Sequence, residues 1–76
     1  METPYTPINC HLYDQLEIYA MHRDILDISI RLVGGEKREL STRINDLYVR
    51  DGVEYVFLET GEEIRMDHLV SVQKAT

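Results

Sequence analysis

Leu12, Leu16, Tyr19 and Ala20 recur at the spacing of one helical face and predict a helix over residues 10–22. Asn9 stands where an N-cap belongs, and Ile8 just before it is placed to pack on Tyr13 as a hydrophobic staple. Pro4 and Pro7 push their predecessors away from helix, so residues 1–8 read as an extended lead-in. At about 100° per residue, Asp14 and Glu17 point away from the apolar stripe, with Tyr13 at its border. The second half, "LEIYAMH", also alternates as a strand would, which leaves the end of the helix open.

Beyond residue 24 the period changes to two. In "DILDISIRLV", Leu26, Ile28, Ile30 and Leu32 share one face, with Asp27, Ser29 and Arg31 on the other. Gly34-Gly35 and Asp51-Gly52 read as hairpin turns, and Gly61 marks a third. "EKRELSTRI" returns from the first turn, "NDL" reads as a loop, and "VEYVFLE", "EEIRMD" and a short strand near "HLVSV" complete the chain. One helix followed by about five short antiparallel strands predicts a mostly β fold, a small closed or half-closed barrel over residues 24–73 in a single domain of residues 1–76. Closure would remove the exposed strand edges. An Sm-like or SH3-like barrel fits the helix-first order best, with an OB-fold as the competitor.

Composition narrows the function. A chain of 76 residues has room for a small core and little for a catalytic cleft, and 43% hydrophobic residues argue for a folded protein. One cysteine, Cys10, excludes an internal disulfide and suits a reducing cytoplasm. "METPYTPINC" has neither a basic region nor an apolar run, so no signal peptide is expected, and no stretch is apolar for long enough to cross a bilayer. Eight Lys+Arg against fourteen Asp+Glu give a formal charge of −6, which disfavours direct nucleic-acid binding and favours a basic partner.

Candidate chemistry is thin. Cys10, His11, His22 and His68 lack the spacing of metal ligands, so no metal and no cofactor is expected. Cys10 at a helix N-terminus has no identifiable base, Gly34-Gly35 lacks the lysine of a phosphate loop, and an enzyme is not expected. The basic residues alternate with acids and form no stripe interleaved with aromatics. "YTPINCHLYDQLE", free of lysine and arginine, has two readings. One is a solvated helix; the other is a recognition face whose carboxylates meet cations while Tyr13 supplies contact area.

That stretch resembles the N-terminal signature of the Rof-type Rho-binding antiterminators, roughly Tyr-x-Pro-Ile-x-Cys-x-x-Tyr-Asp-x-Leu-Glu. Tyr5, Pro7, Ile8, Cys10, Tyr13, Asp14, Leu16 and Glu17 carry it. "EEIRMDHLVSV" is similar to the family's Ile-Arg-Leu-Asp ending, with Met66 in place of leucine, and the resemblance covers residues 5–73. It implies a bacterial cytoplasmic protein with an Sm-like barrel behind its helix. It also implies binding to the hexameric termination factor Rho at or near its primary RNA site, which blocks RNA loading and inhibits Rho-dependent termination. The expected contacts are Tyr13, Asp14 and Glu17, with Asn45 and Asp46 either a second contact patch or simply a turn-forming pair. Where relatives place further acids after the cysteine, this chain has His11 and Leu12, and Glu2 is a candidate replacement. The alternatives are a small Sm-like RNA-binding regulator and a ring-forming structural subunit; the inhibitor reading expects a monomer when free.

Overall fold

A computed structural model describes residues 4–75. The helix α1 spans Cys10–His22. The Asn9 side chain accepts a hydrogen bond from the Leu12 N–H at 2.8 Å, as an N-cap should. At the other end Arg23 adopts a left-handed conformation (φ 53°). Its N–H donates to the Ala20 carbonyl and that of Asp24 to Tyr19, both at 3.2 Å. These two bonds make a Schellman motif, so the helix stops although no glycine announces the stop.

Six strands follow: β1 (Leu26–Arg31), β2 (Lys37–Thr42), β3 (Ile44–Arg50), β4 (Val53–Leu58), β5 (Glu63–Arg65) and β6 (Leu69–Lys74). A single 3-10 turn, Met66–His68, separates β5 from β6, and the sixth strand beyond the about five expected is β3, where the sequence reads "NDL" as a loop. The strands form two antiparallel sheets, ordered β2-β1-β6 and β3-β4-β5. Among the described residues no ladder joins the sheets into a closed ring, so of the closed or half-closed barrel expected the closed form is not made. The chain crosses between sheets at Arg43, the one residue between β2 and β3, and again at the Met66–His68 turn.

The three hairpins explain the register. Asp51 and Gly52 both have positive φ (53° and 78°), the geometry of a two-residue type I′ loop joining Arg50 to Val53. The other two are three-residue loops in which the third residue, Gly35 or Gly61, takes the left-handed position (φ 88° and 94°). In the first, Leu32 donates to Glu36 at 2.7 Å and Gly35 donates to Leu32 at 2.9 Å. Leu32 therefore closes the loop and is 40% exposed instead of sharing the core with Ile28 and Ile30.

Leu16, Leu26, Ile28, Ile30, Ile44, Val56, Leu58 and Met66 form the core, drawn from the helix, both sheets and the 3-10 turn. Leu12, Tyr13, Tyr19 and Ala20 pack against it, as the helical stripe requires. Two bulges bend the sheets: Val70 is the extra residue opposite β1, and Asn45 the extra residue opposite β4. Asn45 and Asp46 thus lie inside β3, not in a loop. Their poor strand propensity is accommodated by the bulge, where ladder pairing is broken in any case.

Candidate partner-binding face

The N-terminal lead-in is fastened to β4, to β5 and to the 3-10 turn by three hydrogen bonds. The Tyr5 hydroxyl donates to Glu54 at 2.5 Å, the Thr6 N–H donates to Asp67 at 3.1 Å, and Arg65 donates to the Pro4 carbonyl at 3.3 Å. Arg65 also lies over the Tyr5 ring, 5.5 Å from its centroid. Arg65 and Asp67 grip each other through two bonds, at 3.0 and 2.6 Å, with side chains only 10% and 11% exposed. The two stretches that carry the resemblance, far apart in sequence, therefore meet in space. The second clamps the first.

Fastened in this way, the lead-in delivers Asn9 and the first turn of α1 to the rim of β3 and β4. Tyr13 sits there half-buried. Its phenol is held above the ordinary value first by burial, then by the negative charges of Glu17, Glu54 and Asp46. Three elements thus aim carboxylates at one tyrosine: α1 with Glu17, β3 with Asp46 and β4 with Glu54. Asp14, Cys10, Ile8, Tyr13 and Glu54 line a shallow hollow of about 250 Å³ beside it. That is smaller than an ordinary small-molecule cleft but wide enough to take the end of a long side chain. A larger hollow of about 420 Å³ lies over the first sheet, lined by polar residues that include Asp27, Glu39 and Gln73; no candidate residue borders it.

Tyr13, Asp14, Glu17 and Asp46 therefore lie near one another on the side of the molecule where α1 meets β3. Asp14, Glu17 and Asp46 are exposed, and Asp46 accepts a bond from the Leu47 N–H at 2.8 Å. Asn45 is exposed beside Asp46 as the bulged residue. Glu2 lies outside the described residues. Sequence reasoning missed Glu54, although the alternation of "VEYVFLE" places it on the same side of β4 as the buried Val56 and Leu58. An acid on the core side of a strand needs a partner, and Tyr5 is that partner.

The electrostatics of the face follow from where the cations go. Arg23 and Arg43 pair with Glu59, Arg38 with Glu62, Arg50 with Glu63, Arg65 with Asp67 and Lys74 with Asp24. Among the described residues only Arg31 and Lys37, opposite each other in β1 and β2, are left without a carboxylate within 4.0 Å. Asp14, Glu17, Asp46 and Glu54, by contrast, have no Lys, Arg or His nitrogen within that distance among the described residues. The acidic excess of the chain is thus partly concentrated on this face. Among the described residues no cluster of three potential ligands gathers to hold a metal ion, and no helix is long and apolar enough to cross a membrane.

The family described as "Modulator of Rho-dependent transcription termination (ROF)" matches residues 7–76. Protein rof of Escherichia coli (strain K12) is 40% identical over 74 aligned residues, which cover 93% of this chain and 83% of that protein. Protein rof of Shigella flexneri matches to the same extent. The chain belongs to the ROF family of modulators of Rho-dependent transcription termination.

Proposed function

We propose that this chain inhibits Rho-dependent termination by binding the Rho hexamer at or near its primary RNA site and blocking RNA loading. The observation that carries the proposal is the set of carboxylates around Tyr13 that no cation among the described residues neutralises. A surface that takes up single-stranded RNA combines a positive groove with stacking platforms for bases. Asp14 and Glu17 would accept charge-assisted hydrogen bonds from that groove, and Tyr13 would lie where a base otherwise stacks. Asp46 and Asn45 form the second contact patch. The free protein is a monomer, acts in the bacterial cytoplasm and does not itself hold RNA. Its two bent sheets are an open form of the Sm-like barrel.

A second reading, direct RNA binding, has one observation in its favour. Tyr48 and Tyr55 lie side by side on β3 and β4, ring centroids 5.7 Å apart, with Arg50 over Tyr55 at 4.7 Å. Stacked tyrosines beside an arginine are a platform for bases. Arg50, however, is bound by Glu63 through bonds of 3.1 and 2.8 Å, and Tyr48 donates to the same carboxylate. The platform's cation is neutralised from within the protein, which favours the inhibitor.

A competition titration separates the two. Rho holding labelled cytidine-rich RNA is titrated with wild-type protein and with the Asp14→Asn, Glu17→Gln variant at two salt concentrations. The proposal expects the wild type to displace RNA and the variant to need at least about tenfold more protein, since charge-assisted bonds contribute about 1.5–3 kcal/mol each. Equal displacement by both would remove the assigned site. Binding of free RNA with none displaced from Rho would install the second reading instead.

A further inference from the structure

Asp14, Glu17, Ile18 and Met21 follow one another at i, i+3, i+4 and i+7, so their side chains leave α1 within about 100° of arc. The stripe faces away from the core that Leu12, Leu16 and Tyr19 enter. Its first half is acidic. Its second half is apolar and uncovered, for Met21 is 77% exposed and Ile18 45%. Ile25, just past the end of the helix, is 46% exposed as well. Among the described residues nothing in the packing calls for these side chains, because Leu16 and its neighbours already close the core.

We infer that the docking surface for Rho continues along α1 past Glu17, and that Met21 and Ile18 form its apolar centre. The inference rests on the proposed function and adds to it. Carboxylates alone give orientation and speed of encounter, whereas tight protein interfaces are held by a desolvated apolar or aromatic cluster inside a charged rim. Here the rim is Asp14 and Glu17, and the adaptable thioether chain of Met21 lies beside them on the same stripe. The same charges choose the occupant. A second copy of this chain docking through α1 would bring Asp14 and Glu17 toward their own counterparts, acid against acid, in a protein of formal charge −6. An RNA-binding surface brings cations. The partner is therefore a cationic protein surface with an apolar spot about one to two helical turns from its arginines or lysines.

Ile18→Gln and Met21→Gln, singly and together, test the inference, because glutamine keeps helix propensity and length while removing apolar surface. Met21→Leu serves as the conservative control. Each variant is titrated against Rho holding labelled cytidine-rich RNA, beside the wild type and the Asp14→Asn, Glu17→Gln variant, and each is checked by circular dichroism. The double glutamine variant is expected to be at least about tenfold weaker, with the salt dependence unchanged because no charge is lost, and Met21→Leu to match the wild type. The carboxylate variant should instead lose salt dependence. If the glutamine variants displace RNA as well as the wild type does, the apolar extension is wrong while the proposed function stands. If the wild type displaces no RNA, both fall. If sedimentation finds a wild-type dimer that the glutamine variants abolish, the patch is a contact between copies and the inference is overturned.

Discussion

Replacing Asp67 by alanine is the sharpest probe of how the lead-in is held. Asp67 receives two bonds from Arg65 and one from the Thr6 N–H, at 2.6–3.1 Å. Burial opposes its charge, but the Arg65 guanidinium and the Thr6 N–H outweigh that, so the carboxyl stays below its usual value of 3.8. Breaking such a pair costs about 3–5 kcal/mol when the surviving charge is fully buried. Arg65 is 10% exposed and keeps the Pro4 carbonyl at 3.3 Å, so about 2–3 kcal/mol is the better figure here. A chain of this length has roughly 4–11 kcal/mol in total, so the loss is large. Tm should fall by about 10–20 °C. Circular dichroism melts of wild type, Asp67→Ala and Asp67→Asn give the answer, with Glu62→Ala as the control. Glu62 makes an exposed pair with Arg38, and its loss should leave Tm close to that of the wild type. The depressed carboxyl also fixes a pH signature. Its stabilisation is complete above pH 3.8 and is lost as pH falls through the folded pKa, so Asp67→Asn should flatten the acid limb of the stability profile. If Asp67→Ala melts within about 3 °C of wild type, below 1 kcal/mol, the clamp does not hold the lead-in and the reasoning fails.

Two further outcomes are expected. The Tyr5 phenol is raised above its ordinary 10.0 by burial and then by its bond to Glu54, so the fold keeps this stabilisation below pH 10 and loses it as pH rises beyond; urea midpoints at increasing alkaline pH should fall less steeply in Tyr5→Phe. Arg23→Gly relieves a left-handed residue at φ 53° and gives up only an exposed pair with Glu59 at 3.3 Å, so denaturant unfolding should find it neutral or up to about 1 kcal/mol more stable; a clear loss would mean that Arg23 holds the helix end by its side chain.

The helix was legible because its signals agree: the Asn9 cap, the Leu12–Leu16–Tyr19 stripe and the acids on the opposite side. Its end was not, because the Schellman motif forms on arginine, and an arginine in sequence carries no such message. The strands were legible wherever one face was buried, as at Leu26, Ile28 and Ile30. Legibility failed at irregular backbone. "NDL" looks like a loop until a bulge absorbs Asn45 into β3, and the 3-10 turn at Met66–His68 is announced by no glycine or proline. Closure of a sheet is decided by long-range hydrogen bonding and cannot be read from local alternation. For the site, exposed acids on α1 followed from periodicity alone. That Asp46 and Glu54 stand beside them depends on register and on the clamp, neither of which local pattern contains.

The ion pairs explain why an acidic face persists on a protein with eight basic residues. Each arginine that pairs also ties elements together: Arg38 links β2 to the approach of β5, Arg50 reaches from β3 across β4 to β5, and Arg23 and Arg43 meet at Glu59 where the helix end, the β2–β3 corner and the last hairpin converge. Each such pair adds little stability on its own. Its electrostatic consequence is larger, because it removes a cation from the free surface and leaves the α1–β3–β4 rim with charge of one sign. Attraction between that rim and a cationic groove acts over about 8 Å at physiological ionic strength, far enough to orient an encounter before any contact forms. It follows that Glu63→Gln, which frees Arg50 some distance along the second sheet, should slow association with Rho even though Glu63 lies outside the docking stripe. Stopped-flow measurements at low and high salt would show the slowing at low salt only; equal slowing at both would mean that Glu63 acts by contact or by shape, not through the field.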